Sequence, residues 1–135
     1  MFTSLLFFLK QIVAELTGTY ILVFVGCGAA LSDEVQRVNM SGIAIVWGAA
    51  LMAAIYALGH VSGAHFNPAG SIALAVARKF SWKQSKDLSG VAIGGAAMFN
   101  AMIAGSITGA SMNPARSLGP ALVSGSILYP QFCTL

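Results

Sequence analysis

Charged side chains are scarce in this sequence. Lys, Arg, Asp and Glu make up 8% of its 135 residues, against about a quarter in a typical soluble domain. So few charges cannot keep a soluble fold of this size in solution. Only two cysteines are present, which excludes a secreted disulfide scaffold. Hydrophobic residues form 57% of the chain, which excludes a disordered protein. The class that remains is a membrane protein.

The few charges are grouped between long uncharged segments, and this placement excludes a nucleic-acid partner. No basic stripe follows a soluble helix, although the net charge is +3. The expected partner is the lipid bilayer. The basic cluster should lie in the cytoplasm, since positively charged loops stay on that side. Its members are Arg78, Lys79, Lys83 and Lys86.

The apolar runs predict about three membrane spans, because one span needs roughly 20 apolar residues. Two further apolar runs are only half as long, and each follows a turn-rich stretch. The predicted segments, in chain order, are a span over 11–31, a span over 42–60, a half-helix over 67–78, a cytoplasmic linker over 79–87, a span over 88–110, a half-helix over 113–123 and a tail over 124–135.

Small residues recur every fourth position on two of these spans, which predicts close helix–helix packing in the membrane. A generic helical bundle would explain these stripes fully. They consist of Ala49, Ala53 and Ala57 on the second span and of Ala97, Ala101, Gly105 and Gly109 on the third.

The sequence repeats itself at an offset of 46 residues. Segment 63–75 matches segment 109–121, with seven of thirteen positions identical. Each copy comprises a span, a small-residue turn and a half-length helix. The spans that lead into the two copies run in opposite directions, so the repeat is inverted. Inverted repeats with interrupted helices indicate a transport site near the bilayer midplane.

Both copies contain the tripeptide Asn-Pro-Ala, which predicts a helix start. Asn is a favoured N-cap, and Pro at the first helical position loses no hydrogen bond. A half-helix of about 12 residues is roughly 18 Å long, about half the hydrocarbon core. Two positive helix ends would therefore face each other, with the carboxamide NH₂ groups pointing into the space between them. The tripeptides are Asn67, Pro68, Ala69 and Asn113, Pro114, Ala115.

The motifs SGAHFNPA and ITGASMNPARSLGPA resemble those of the major intrinsic protein, or aquaporin, family. AELTGTY and YALGHVSGAHFNPA resemble its nodulin-like plant branch. The resemblance implies an all-α membrane protein, a partial aquaporin-like inverted repeat with about three transmembrane helices and two re-entrant half-helices. It implies a passive channel for water and small neutral solutes such as glycerol, metalloid hydroxides or ammonia. It also implies location in the plasma membrane.

The resemblance further implies an aromatic/arginine selectivity filter and a structural buttress. The filter positions are Trp47, Ala101, Ala110 and Arg116, and the buttress is Glu15, which would accept hydrogen bonds from a re-entrant loop. Taken singly, Trp47 is also typical of an interfacial aromatic residue and Arg116 of an interfacial anchor. The branch is expected to carry a branched aliphatic residue where Ala101 stands.

The sequence shows no pattern that predicts enzyme chemistry. No nucleophile–base pair, phosphate loop or metal cluster is recognisable, so we expect no catalytic residue, no cofactor and no metal. His60 and His65 match loop residues of the family, and neither has a Cys or carboxylate partner at ligand spacing.

Compared with the six-span family pattern, this chain lacks the third, fourth and sixth membrane helices. Polar backbone in the re-entrant loops would then face lipid. Two functions follow as alternatives. The chain is a channel that conducts by assembling with other copies or with full-length relatives, or it is a non-conducting truncated isoform or degenerate fragment that associates with them.

Overall fold

A computed structural model describes residues 2–77 and 88–125. This part of the chain consists of helices and short connections, without strands, as the predicted all-α class requires. The predicted linker 79–87 lies outside the described residues, as do residues 126–135 of the predicted tail. The helices are α1 (Phe2–Gln36), α2 (Asn39–Ser62), α3 (Pro68–Ala77), α4 (Ser89–Thr108) and α5 (Pro114–Ser124).

Three of these helices are long and apolar enough to cross a membrane. α1, α2 and α4 contain 35, 24 and 20 residues, and at 1.5 Å per residue even α4 is about 30 Å long, the thickness of the hydrocarbon core. α3 and α5, with 10 and 11 residues, are half that length. The predicted partial repeat of three spans and two half-helices is therefore confirmed in outline.

α1 extends beyond the predicted 11–31 span at both ends. No proline interrupts residues 2–36, and Lys10 is compatible with a continuous helix. At the other end the polar segment is still helical, and the Ser32 hydroxyl donates to the carbonyl of Gly28 at 2.8 Å within it. The connection to α2 is then only two residues long. It is closed by the carboxylate of Asp33, which accepts from the backbone N–H of Asn39 at 2.6 Å.

α1 packs against α2 through one narrow face. Its buried residues recur every fourth position, because residues four apart lie on the same side of a helix. Two aromatic rings, Trp47 of α2 and Phe66 of the following turn, fill the interface and are 2% and 0% exposed. The buried residues of α1 are Ala14, Gly18, Leu22, Gly26 and Ala30.

α2 also packs against α4, and the two helices approach most closely at a pair of glycines. A Cβ built on Gly48 would lie 2.7 Å from the carbonyl oxygen of Gly94, and a Cβ on Gly94 would lie 2.7 Å from that of Gly48. These glycines are 46 positions apart, so the two copies of the repeat meet at this crossing.

The two predicted small-residue stripes have different outcomes. On α4 the predicted stripe is at the interface, with Ala101 and Gly105 buried. On α2 the prediction was wrong: Ala49, Ala53 and Ala57 are exposed. The packing face of α2 is rotated by one residue onto Gly48, because only a glycine permits the backbone contact with α4.

Replacing Gly48 with alanine should therefore weaken the packing of α2 on α4. The added Cβ would lie 2.6 Å from that of Met98 and 2.7 Å from a backbone carbonyl, which cannot move independently of its helix. Overpacking of this kind costs about 1–3 kcal/mol. The measurement is the free energy of unfolding in detergent micelles, followed by circular dichroism during SDS titration.

Gly95→Ala is the matched control, because nothing lies within 4 Å of a Cβ at that position. There we expect a gain of up to about 1 kcal/mol from the better helix propensity of alanine. Equal losses of stability in both variants would contradict the close contact at Gly48.

Candidate functional site

The first Asn-Pro-Ala turn starts α3. The side-chain oxygen of Asn67 accepts from the backbone N–H groups of Ala69 at 3.0 Å and Gly70 at 3.3 Å. Pro68 is the first helical residue, a position at which its missing N–H costs nothing. Asn67 thus caps the half-helix, as its sequence context predicts.

The second turn starts α5 in the same way. Asn113 has an extended backbone, and its side-chain oxygen accepts from the backbone N–H of Ala115 at 3.0 Å. Pro114 occupies the first helical position. The predicted start of a half-helix at each of the two asparagines is therefore confirmed.

The two capping carboxamides join the turns to each other. Asn67 donates its Nδ2 to the carbonyl oxygen of Met112 at 2.9 Å, and Asn113 donates its Nδ2 to that of Phe66 at 2.8 Å. The sequence predicts that both NH₂ groups face the space between the helices. Instead each uses one hydrogen to hold the opposite turn, and the two bonds are related by the 46-residue offset.

The repeat is equally visible in the backbone. Three pairs of residues 46 positions apart have positive φ, a backbone conformation that residues other than glycine rarely adopt. Such a conformation is maintained only where the surrounding structure requires it. The pairs are Gly63 and Gly109 with φ of 92° and 76°, Ala64 and Ala110 with 54° and 43°, and Phe66 and Met112 with 45° and 47°.

Glu15 of α1 holds the first turn. Its two carboxylate oxygens accept from the backbone N–H groups of His65 at 3.1 Å and Phe66 at 2.7 Å. A carboxylate inside a membrane span is costly unless it is hydrogen-bonded, and these N–H groups lie in non-helical backbone that needs acceptors. The contacts are those expected of the predicted buttress.

Arg116 lies in the first turn of α5 and is only 7% exposed. Its guanidinium donates to the carbonyl oxygens of Ala110 at 3.1 Å and Gly109 at 3.4 Å. The guanidinium carbon lies over the ring of Trp47, 3.6 Å from the ring centroid, a distance typical of a cation–π contact. The chain thus brings together two residues separated by 69 positions.

The predicted filter residues are not all equivalent in their surroundings. Trp47 and Arg116 line a cavity of 240 Å³ together with Asn67 and Asn113. Ala110 contacts Arg116 through its carbonyl oxygen. Ala101 is absent from the lining of this cavity and is buried in a cluster with Ala44 and Ala110.

His65 also borders the cavity, and its Nδ1 lies 2.9 Å from the hydroxyl oxygen of Ser71. His60, near the end of α2, is exposed. Within residues 2–77 and 88–125, no three His, Cys, Asp or Glu residues are grouped so that they could hold a metal ion.

Three residues of the site were missed by the sequence reasoning. Phe66 provides both the acceptor for Asn113 and a fully buried ring. Gly18 and Gly26 of α1 make room for the rings of Phe66 and Trp47. The available signals were the alignment of Phe66 with Met112 in the repeat and the four-residue spacing of small residues along α1.

Comparison with known proteins agrees with the geometry. The pattern of the family "Major intrinsic protein" matches residues 2–86 and 82–133. Aquaporin NIP1-1 of Oryza sativa subsp. japonica is 33% identical over 186 aligned positions, which cover 87% of this chain and 66% of that protein. Nodulin-26 of Glycine max is 32% identical over 186 positions, covering 87% and 69%.

The chain therefore spans about two thirds of the length of these relatives. The alignments are longer than the chain itself, so the relatives contain internal residues that have no counterpart here. With both family-pattern matches and both Asn-Pro-Ala half-helices in place, the chain belongs to the major intrinsic protein family.

Proposed function

We propose that this chain contributes the selective part of a passive pore for water and small neutral solutes. The observation that carries the proposal is the meeting of the two half-helix N-termini at one cavity, where reciprocal asparagine bonds join them. Each helix start carries roughly half a positive charge. Such ends repel cations and protons, while donors beside them can bond to the oxygen of a neutral solute, which accepts, as in aquaporin-type pores generally.

Trp47 and Arg116 would form the constriction of this pore. Arg116 offers fixed donors and a positive charge, and both carbonyl bonds hold it in place. Trp47 offers an apolar wall. This combination suits glycerol-like solutes as well as water, with metalloid hydroxides and ammonia as further candidates. By resemblance to the nodulin-like branch we place the protein in the plasma membrane.

The described helices enclose such a pore only in part. Large apolar side chains are exposed along the whole of α1 and on one side of α4, where further helices or lipid must cover them. We therefore propose that conduction requires assembly with full-length relatives, because other copies of this chain would supply only the same helices again. Exposed examples are Phe7, Val13, Leu16, Tyr20 and Phe24 of α1 and Phe99, Ile103 and Ile107 of α4.

Vesicle swelling tests this proposal. Vesicles that contain the pure chain should show no water or glycerol permeability above that of empty vesicles. When this chain is reconstituted together with the rice relative, the permeability of the vesicles should differ from that of vesicles with the relative alone. Arg116→Ala in this chain should change the size of that difference. Rapid swelling with the pure chain would contradict the need for a partner.

The same exposed helix faces support a second candidate, a non-conducting partner of full-length channels. This candidate predicts co-purification and changed permeability that does not depend on the pore residues of this chain. Arg116→Ala would then have no effect, whereas charged substitutions at Phe99 and Ile103 would abolish the change. Failure to associate with any relative would exclude it.

A further inference from the structure

The ring of Trp47 is held by shape rather than by hydrogen bonding. It is 2% exposed, and its indole N–H is buried without a hydrogen-bond partner among the described residues. A buried N–H normally finds an acceptor, and that bond then fixes the ring. Because none does so here, the position of the ring must come from the groups packed against its faces.

One face of the ring lies on the backbone of Gly26. A Cβ built on Gly26 would lie 2.2 Å from Cε2 and 2.3 Å from both Cδ2 and Cζ2. Nearly equal distances to three adjoining ring atoms place that position over the ring face and not at its edge. The hydrogen of Gly26 is the only substituent that fits there.

The other face carries the guanidinium of Arg116, with its central carbon 3.6 Å from the ring centroid. Two groups at these distances cannot share one face without overlapping, so the ring is enclosed between the α1 backbone and the arginine. Arg116 in turn is fixed by its carbonyl bonds. The separation between α1 and Arg116 is therefore filled completely by the thickness of one aromatic ring.

We propose that Gly26 is a positioning residue that sets the aperture of the pore beside the stacked pair of Trp47 and Arg116, because it fixes how far that pair extends into the cavity. This rests on the proposed pore function. A methyl group at position 26 would push the ring toward the guanidinium and into the cavity that both residues line. The smaller aperture would then lower the permeability of larger solutes more than that of water.

Intrinsic fluorescence tests the positioning step in the chain alone. Trp82 is the other tryptophan, so a Trp82→Phe background leaves Trp47 as the sole reporter. In lipid vesicles, Gly26→Ala should shift the emission and raise acrylamide quenching about twofold, since a close-packed ring cannot absorb an added methyl group in place. Gly28→Ala is the matched control on the same helix, with nothing within 4 Å of its Cβ.

Solute selection tests the aperture step. In vesicles shared with the rice relative, Gly26→Ala should lower the ratio of glycerol to water permeability contributed by this chain by about tenfold, the effect of one methyl group in a tight site. Adding Trp47→Phe, a smaller ring, should restore much of that ratio. Gly28→Ala should leave the ratio unchanged.

The outcomes separate this inference from the proposed function. Equal quenching in the Gly26 and Gly28 variants overturns the positioning role. If Gly26→Ala loses helix content, recovery in the double variant with Trp47→Phe supports the ring contact, and no recovery overturns it. If Arg116→Ala leaves the permeability unchanged, both the proposed pore function and the effect of Gly26 on the aperture are overturned. The fluorescence result still decides whether Gly26 positions the ring.

Discussion

Replacing Glu15 with alanine is expected to lower the free energy of unfolding by about 2–3 kcal/mol, because two part-buried backbone N–H groups lose their acceptor, and a fully buried N–H left without one costs about 1–3 kcal/mol. The two groups concerned are the backbone N–H groups of His65 and Phe66, which no longer meet a carboxylate. The first turn should then exchange its amide hydrogens faster. SDS titration in micelles measures the stability, and hydrogen exchange measures the opening of the turn.

Glu15→Gln and Glu34→Ala are the matched variants. Gln keeps one acceptor oxygen, but its NH₂ group then faces the second backbone N–H, so it should restore at most about half of the stability lost with alanine. Glu34 belongs to the same helix but is exposed, and its replacement should change stability by less than about 0.5 kcal/mol. Similar losses at positions 15 and 34 would show that the carboxylate of Glu15 does not hold the turn.

The helix starts at the two asparagines could be predicted because they depend on local chemistry. Asparagine caps through its own side chain and proline fixes its own backbone, so three consecutive residues contain the information. The repeat added long-range information, since two similar segments in inverted contexts are related by a pseudo-two-fold axis in the membrane plane. Gly48 and Gly94 match each other at the same offset, but the offset alone does not show that the two glycines are in contact.

The faces through which the helices pack were harder to predict from the sequence than the helix starts. A stripe such as Ala49, Ala53 and Ala57 shows that a helix can be approached closely, yet it does not show which neighbour approaches. The deciding contact is between backbones at Gly48, one residue away from the stripe. In a membrane both faces of α2 are apolar, so burial alone gives no preference between them.

The asparagine cross-bonds lay beyond sequence reasoning for another reason. The same sequence is compatible with an asparagine NH₂ group that is free in a cavity and with one that is bonded to a carbonyl oxygen of the other turn. The choice depends on the positive φ of Phe66 and Met112, which turns both carbonyl oxygens toward the opposite asparagine. The role of Ala101 in the filter likewise stays a prediction, since the structure packs it against Ala44.

Those cross-bonds make Asn113→Asp the most informative single-atom change in the site. The retained oxygen still caps α5. The second oxygen takes the place of Nδ2 and so lies about 2.8 Å from the carbonyl oxygen of Phe66. Two acceptors then face each other at a residue that is 8% exposed. The helix dipole offsets about 0.3–1 kcal/mol of this cost. We expect a net loss of about 2–4 kcal/mol in the free energy of unfolding.

Two further asparagines test this explanation by SDS titration. Asn67→Asp should cost less than Asn113→Asp, because the bond from Asn67 to Met112 is exposed, whereas that from Asn113 to Phe66 is buried. Asn39→Asp keeps the oxygen that accepts from Gly42 and breaks no such cross-bond, so it should change stability by less than about 1 kcal/mol. The double variant at positions 67 and 113 should lose less than the sum of the single losses, since both bonds join the same two turns. Additive losses, or equal losses at all three positions, would mean that the cross-bonds do not act as one unit.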